Sequence, residues 1–337
     1  MTSVKNRSIV FIDNSDSDFT GLDLNTAKVR GTESSMILLS ESMVRLGIRV
    51  VILTCTKKEV RHNNVIYINK KNIPKEKFDV CVAVSNANKF KNIKAKKYVL
   101  WSNSLQSIEK FIRKKQLIPF LKFKPVVMTM CNYQYNKRSF LTSFYGKMVI
   151  SLTVDPVFFK EPINVKYVPN KYALNNIRSH RNLDWLINIW KNNFYKENSN
   201  EFLYINPNII DNDDDLIKYN IKLRKYVSRK ELLNELKETR VFVYTGHKSD
   251  VWTLTAEEAV QMCVPVVTYG IGSVSDRVKH GKNGFIVNSD DEFAYYLKKL
   301  LSDDEFYLNI KDKMYRNRGL TSWDTIALEW VNKLHLN

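Results

Sequence analysis

Two carboxylates, Asp250 and Glu258, stand eight residues apart in the run Asp250-Val-Trp-Thr-Leu-Thr-Ala-Glu-Glu258-Ala-Val-Gln-Met-Cys-Val-Pro265-Val-Val. The apolar Val241-Phe-Val-Tyr244 ahead of them predicts a short buried strand. The polar Thr245-Gly-His-Lys-Ser-Asp250 predicts a loop, and the pattern from Leu254 to Met262 a helix. Asp250 is therefore expected in the loop and Glu258 on the helix. A helix N-terminus presents unpaired N–H groups and a partial positive charge, which suits a diphosphate. A carboxylate deeper in the site accepts hydrogen bonds from sugar or ribose hydroxyls. Together the two features predict a site for a nucleotide sugar. Each carboxylate also has a plainer reading: Asp250 as the N-cap of its helix, and Glu258 as a solvated helix carboxylate.

The elements that would hold such a site repeat along the chain. Ser8-Ile-Val-Phe-Ile-Asp13 reads as a strand, and Gly31 permits a sharp turn with close backbone approach. Met36, Leu39, Met43 and Leu46 share one helical face, Gly47 stops that helix, and Val50 to Thr54 returns as a second buried strand. Strand, helix and strand in that order predict a right-handed parallel unit of a doubly wound sheet. A lone glycine after a strand fits a phosphate-binding turn and a plain structural turn equally well. Further strands are expected near 65–68, 79–84, 97–101 and 125–130, and later at Glu201–Asn206 and Ile221–Tyr226. Ser228-Arg-Lys-Glu231 is a capping box opening a helix through Leu236. The terminal Leu320-Thr-Ser-Trp323-Asp-Thr-Ile-Ala-Leu-Glu-Trp330 has a start signal followed by an amphipathic pattern.

At 337 residues, 44% hydrophobic and 12% aromatic, the chain is long enough for two domains that each bury a core. No run of eighteen apolar residues is present, and Met1-Thr-Ser-Val-Lys-Asn-Arg leads directly into a strand, so a cytoplasmic location is expected. The four cysteines, at 55, 81, 131 and 263, have no Cys-x-x-Cys spacing, and the five histidines form no zinc pattern. Buried free thiols and no metal site follow.

Lys and Arg number 53 against 35 Asp and Glu, a net charge of +18, which should attract polyanions. The excess is uneven: eleven Lys or Arg and one acid, Glu109, fall between Lys89 and Lys124. Within residues 105–124, Leu105, Ile108, Phe111 and Ile112 recur at helical spacing among cations, followed by further aromatics. An interfacial segment that binds anionic lipid has this composition. So does an ordinary amphipathic helix with a solvated basic face, and nucleic acid is a third partner of the right charge.

The acidic pair and its surroundings resemble the retaining glycosyltransferases of family 4, whose pattern is Glu, seven residues, Glu, then Ala and Pro-Val. Ala259, Pro265 and Val266 stand in the corresponding places, with Asp250 at the first acidic position. The likeness continues through Tyr269-Gly-Ile-Gly272-Ser-Val-Ser-Asp276 and Gly281-Lys-Asn-Gly284. The Arg30-Gly-Thr-Glu33 helix and its following strand are similar to the family's first helix and second strand, with one glycine of the usual pair. Val149-Ile-Ser-Leu-Thr-Val-Asp155-Pro resembles the segment that precedes the second domain.

The resemblance implies an α/β GT-B fold: two Rossmann-like doubly wound domains facing across a cleft, with a C-terminal helix crossing back. The boundaries expected are 1–157 for the acceptor-binding domain, 158–318 for the donor-binding domain and 319–337 for the crossover helix. It implies that Glu258 holds the donor ribose and Asp250 faces the transferred sugar, with Thr253, Leu254 and Thr255 at the helix start and Gly31 and Thr32 also binding donor. An Arg and a Lys of the family clamp the diphosphate. Arg181 aligns with the Lys and Lys171 with the Arg, while Arg178 competes for either place. Asn103 stands where members carry a His, and can hydrogen-bond to sugar but cannot act as a base. Transfer in this group is retaining, with the departing diphosphate taking up the acceptor proton, so neither nucleophile nor metal is required. The implied donor is a UDP or GDP sugar and the implied acceptor a glycan or lipid-linked sugar of a cell-surface glycoconjugate. Two alternatives remain: a DNA-modifying glucosyltransferase, whose basic first domain would follow a phosphate backbone, and a nucleotide-sugar-binding protein without transfer activity.

Overall fold

The computed structural model describes residues 7–26, 29–105, 107–176, 182–194, 200–206, 214–224 and 227–336. The chain divides into two compact units. The first comprises residues up to Thr153 and the terminal stretch from Thr321, and the second runs Val154–Leu320.

Unit 1 is built on eight strands: β1 (Ser8–Ile12), β2 (Arg49–Thr54), β3 (Val60–His62), β4 (Val65–Asn69), β5 (Lys77–Val84), β6 (Lys94–Trp101), β7 (Val126–Thr129) and β8 (Lys147–Val149). Their order is β3-β4-β2-β1-β5-β6-β7-β8. All pair in parallel except the β3 edge, which turns back on β4 through Asn63 and Asn64, both at positive φ. The central strands are near-continuous Val, Ile and Leu because helices cover both faces of a parallel sheet. The sequence reading located six of these strands and missed β3 and β8.

The helices of unit 1 are α1 (Gly31–Arg45), α2 (Ile108–Arg113), α3 (Leu117–Phe123) and α4 (Asn132–Lys137). Met36, Leu39 and Met43 of α1 are fully buried, as the periodicity predicts, and Gly47 ends the helix at φ +80°, where a residue with a side chain would be strained. Leu46 is 41% exposed, so the buried stripe stops one turn short of expectation.

Unit 2 carries β9 (Tyr172–Leu174), β10 (Phe202–Ile205), β11 (Ile221–Leu223), β12 (Val241–Tyr244), β13 (Val266–Thr268) and β14 (Gly284–Ile286) in the order β11-β10-β9-β12-β13-β14, every pair parallel. Its helices are α5 (Pro156–Lys160), α6 (Leu183–Phe194), α7 (Asp214–Ile217), α8 (Arg229–Glu238), α9 (Leu254–Gln261), α10 (Asp290–Ser302) and α11 (Asp304–Tyr315). Both halves of the expected Ser228 capping box form on α8.

The last helix, α12 (Trp323–Lys333), returns to unit 1 and covers α1. Arg45 of α1 bonds the Asp324 carboxylate, and Trp330 lies edge-on to Phe11 and Trp101 at ring-centroid distances of 6.1 and 5.8 Å. This second cover explains why Ser35, Ser40 and Ser42 on the polar side of α1 are also buried.

Candidate active site

In an open α/β sheet, ligands bind outside the carboxyl ends of the strands, where the strand order reverses. Unit 2 reverses between β9 and β12, and α9 begins in the loop that follows β12. The loop is held by close backbone approaches. Asp250 N–H donates to His247 O at 2.9 Å, and Ser273 N–H donates to Asp250 O at 3.0 Å. Gly272 makes the second approach possible: it sits at φ +86°, and a Cβ there would stand 2.3 Å from His247 O. The Gly-x-Gly noted in the sequence is thus the place where two loops meet at van der Waals distance.

The Asp250 side chain is 5% exposed and accepts a 2.7 Å hydrogen bond from the Tyr244 hydroxyl at the end of β12. It does not cap α9. The N-cap residue is Thr253, which makes no side-chain capping bond. The first N–H groups of α9, those of Leu254 and Thr255 among them, therefore face a ligand or water. Around this opening, Thr253 Oγ1, Ser273 Oγ and Trp252 Nε1 are buried without partners among the described residues. Buried polar atoms are nearly always paired, so these three have hydrogen-bonding capacity left for water or a ligand. The Arg277 guanidinium lies 3.5 Å over the Trp252 ring and brings a cation to the same loop.

Glu258, one turn further along α9, is 8% exposed, so the solvated-carboxylate reading is wrong for it. Burial pushes its carboxyl up to about 8, opposed by the Arg229 guanidinium and reinforced by the Asp155 carboxylate. Arg229 begins α8 and forms a 2.5 Å ion pair with Asp155, which in turn caps α5 by accepting from Val157 N–H at 2.9 Å. The sequence reading saw Arg229 only inside a capping box and Asp155 only as a boundary marker. Their pairing across 74 residues has no local signal.

At the ends of β9, β10 and β11 a second polar group forms. Arg224 donates to Asn176 and Asn206 at 2.6 and 3.0 Å, and Asn175 donates to Val243 O at 3.0 Å across the reversal point. Arg178 and Arg181 follow Asn176 in the chain but lie outside the described residues. Lys171 is corrected: it directly precedes β9, whose direction is that of β12, so it stands at the opposite edge of the sheet from Asp250 and α9.

Unit 1 reverses between β1 and β5. At that edge Asn103 Nδ2 donates to Thr32 Oγ1 at 3.0 Å, while Asn103 N–H donates to Ser85 Oγ at 3.1 Å. Gly31 is the first residue of α1, whose N-cap makes no side-chain bond. Asn103 Oδ1 and Glu33 Oε2 are buried without partners among the described residues. Asp13, at the end of β1, is 2% exposed, and burial holds its carboxyl above the usual range against the Ser15 hydroxyl bond. Gly31, Thr32 and Asn103 thus gather at one edge, and the sequence reading missed Glu33 and Asp13 beside them.

Residues 213–317 match the family described as glycosyl transferases group 1. Among solved structures, the chain is similar to the sucrose-phosphate synthase of Thermosynechococcus elongatus (TM-score 0.73, 13% identity, 98% of this chain and 99% of that one). It is also similar to WaaG, a glycosyltransferase involved in lipopolysaccharide biosynthesis (TM-score 0.68, 10% identity, 97% and 99%). Anabaena HepE in complex with UDP gives TM-score 0.68 at 13% identity over 98% and 100%. The chain has the GT-B glycosyltransferase fold. A comparison with curated proteins finds no match. The group 1 segment of this GT-B chain includes β12, Asp250, the start of α9 and Glu258, the residues that the geometry of unit 2 brings together. Among the described residues no cluster of three His, Cys, Asp or Glu side chains could hold a metal ion, and Cys55, Cys81, Cys131 and Cys263 form no disulfide.

Proposed function

We propose that this protein is a retaining glycosyltransferase of the family 4 type, which takes a nucleoside diphosphate-sugar onto unit 2 and passes its sugar to a hydroxyl of a glycan or lipid-linked acceptor. The observation that carries the reading is the uncapped N-terminus of α9 at the reversal point of its sheet, with the buried Glu258 behind it. The diphosphate would rest on the N–H groups of Leu254 and Thr255 and the Thr253 hydroxyl. Arg178 and Arg181 would supply cations from the segment after β9. The ribose hydroxyls would donate to Glu258, and the transferred sugar would be oriented by Asp250. Gly31, Thr32 and Asn103 are assigned to sugar hydroxyls on unit 1. HepE has been solved with UDP and with UDP-glucose, which makes uridine donors the first to try.

In the transfer, the acceptor oxygen bonds to the anomeric carbon while the bond from that carbon to the diphosphate oxygen breaks on the same face. The acceptor proton passes to the departing oxygen. No side chain needs to act as nucleophile, and the protein contributes position and fixed charge.

The experiment is a thermal-shift panel of UDP, GDP and their sugars, followed by a turnover assay with the donor that binds. At about 100 times its dissociation constant a ligand stabilises by about 2.7 kcal/mol. Glu258→Ala should abolish the shift, and Asp250→Ala should keep it while lowering turnover. If no nucleotide shifts the wild type, or both variants behave as wild type, the reading is wrong. A second reading, binding without transfer, is favoured by the hydrogen bond that Asp250 already accepts from Tyr244. It requires a wild-type shift with no sugar released or moved.

A further inference from the structure

The basic stretch of unit 1 carries something its charge does not explain. Helices α2 and α3 bury Phe111 and Phe120 against the sheet core, so their inner faces are used. On the outer side Ile112, Ile118 and Leu121 are 58%, 78% and 50% exposed. Phe140 and Phe144, far along the chain from α2, are 81% and 70% exposed, and Phe144 shares a slot with Leu121. Between the two segments runs a slot of about 280 Å³, lined by Ile108, Phe111, Leu121, Thr142, Phe144 and Tyr145. Six of the fifteen large exposed hydrophobic residues among the described residues fall between Ile112 and Phe144, and three of them, Leu117, Leu121 and Phe144, line the one slot.

The rim is of one sign. Residues 105–147 contain nine Lys or Arg and the single acid Glu109. Arg113, Lys114, Lys115, Lys122, Lys124, Lys137 and Lys147 are exposed. Lys110 is held back, its Nζ bonded to Ser104 Oγ at 2.6 Å. A solvated basic helix face would account for these cations but not for Ile118, Phe140 and Phe144 among them. A nucleic acid would use the cations and leave the aliphatic side chains in water. A bilayer with anionic headgroups satisfies both: the cations stay at headgroup level while the apolar side chains enter the acyl boundary.

We propose that the surface formed by α2, α3 and residues 140–145 is where this protein docks on an anionic lipid bilayer, with Ile118, Leu121, Phe140 and Phe144 inserted and the ring of Lys and Arg at the headgroups. The slot beneath Phe144 admits the end of one acyl chain. This docking does not depend on the transferase reading, since none of these residues was placed in the donor or sugar site. Among the described residues no helix is long and apolar enough to cross a membrane, so the attachment is to one face.

The test is co-sedimentation of the full chain with vesicles of phosphatidylcholine mixed with phosphatidylglycerol, beside vesicles of phosphatidylcholine alone. Two variants are compared: an apolar one, Ile118→Ser with Leu121→Ser and Phe144→Ser, and a charge one, Arg113→Glu with Lys114→Glu and Lys122→Glu. All the substituted side chains are exposed, and an unchanged melting temperature checks the fold. Wild type should bind the mixed vesicles far better than the neutral ones. The charge variant should partition on the order of a hundredfold more weakly, and the apolar variant should also lose binding. Failure of wild type to sediment with the mixed vesicles overturns the proposal. So does an apolar variant that binds as wild type, because the patch would then be a site for soluble polyanions, such as duplex DNA.

Discussion

Replacing Glu258 by Gln tests the donor site without a substrate. Unfolded, this carboxyl titrates near 4.5, and in the folded chain burial raises it to about 8. Between those values the folded state keeps a proton that the unfolded state has lost. The unfolded state therefore binds fewer protons, and stability falls as pH rises, by about 1.4 kcal/mol for each pH unit. Below pH 4.5 both states are protonated and nothing is lost. Above 8 the loss is complete, ~5 kcal/mol at most, since water entering the site reduces it. Gln has the same shape, stays neutral and carries no such slope. Glu258→Gln should thus match wild type near pH 4.5 and exceed it by a few kcal/mol at pH 8, read as a widening difference in melting temperature.

The same group couples to the ligand. Ribose hydroxyls that donate to Glu258 favour its ionised form, so nucleotide binding near pH 6.5 should expel a proton. Calorimetry in two buffers of different ionisation enthalpy counts that proton for wild type and should find none for Glu258→Gln. Parallel pH profiles of the two proteins would refute the reasoning about burial. A buffer-independent enthalpy, with the stability difference intact, would refute only the assignment of the ribose to this carboxylate.

Two further substitutions probe the frame around the sites. Gly272→Ala forces a Cβ to 2.3 Å from His247 O in a left-handed conformation, and should cost about 1–3 kcal/mol in thermal unfolding and displace Asp250. Trp330→Ala empties the contact of α12 with Phe11 and Trp101 and should cost about 3–5 kcal/mol, whereas Leu328→Ala, on the exposed side of the same helix, should change stability little.

What the sequence could reveal followed the range over which each signal acts. Hydrophobic runs, the Gly47 stop and the Ser228 box are local, and the structure places β1, β2, α1, α8 and α9 within a residue or two of their expected positions. The antiparallel β3 edge also had a local signal, the Asn63-Asn64 turn, whose two positive φ angles suit a tight hairpin. It was passed over because the strand has three residues and no apolar run. The environment of Glu258 is set by Asp155 and Arg229, which meet only when α5 and α8 pack on the same side of the sheet, and no spacing rule connects them. Lys171 shows the converse fault: placed by its order in the chain, it was assigned to the site, but the strand starts after it, and in a parallel sheet that one residue decides which edge it occupies. The exposed Phe140 and Phe144 teach the same lesson at the surface. The charge run at 105–124 is a local signal, whereas the exposed Phe144 that shares a slot with Leu121 comes from a segment about twenty residues further on, after β7, and no spacing rule connects the two.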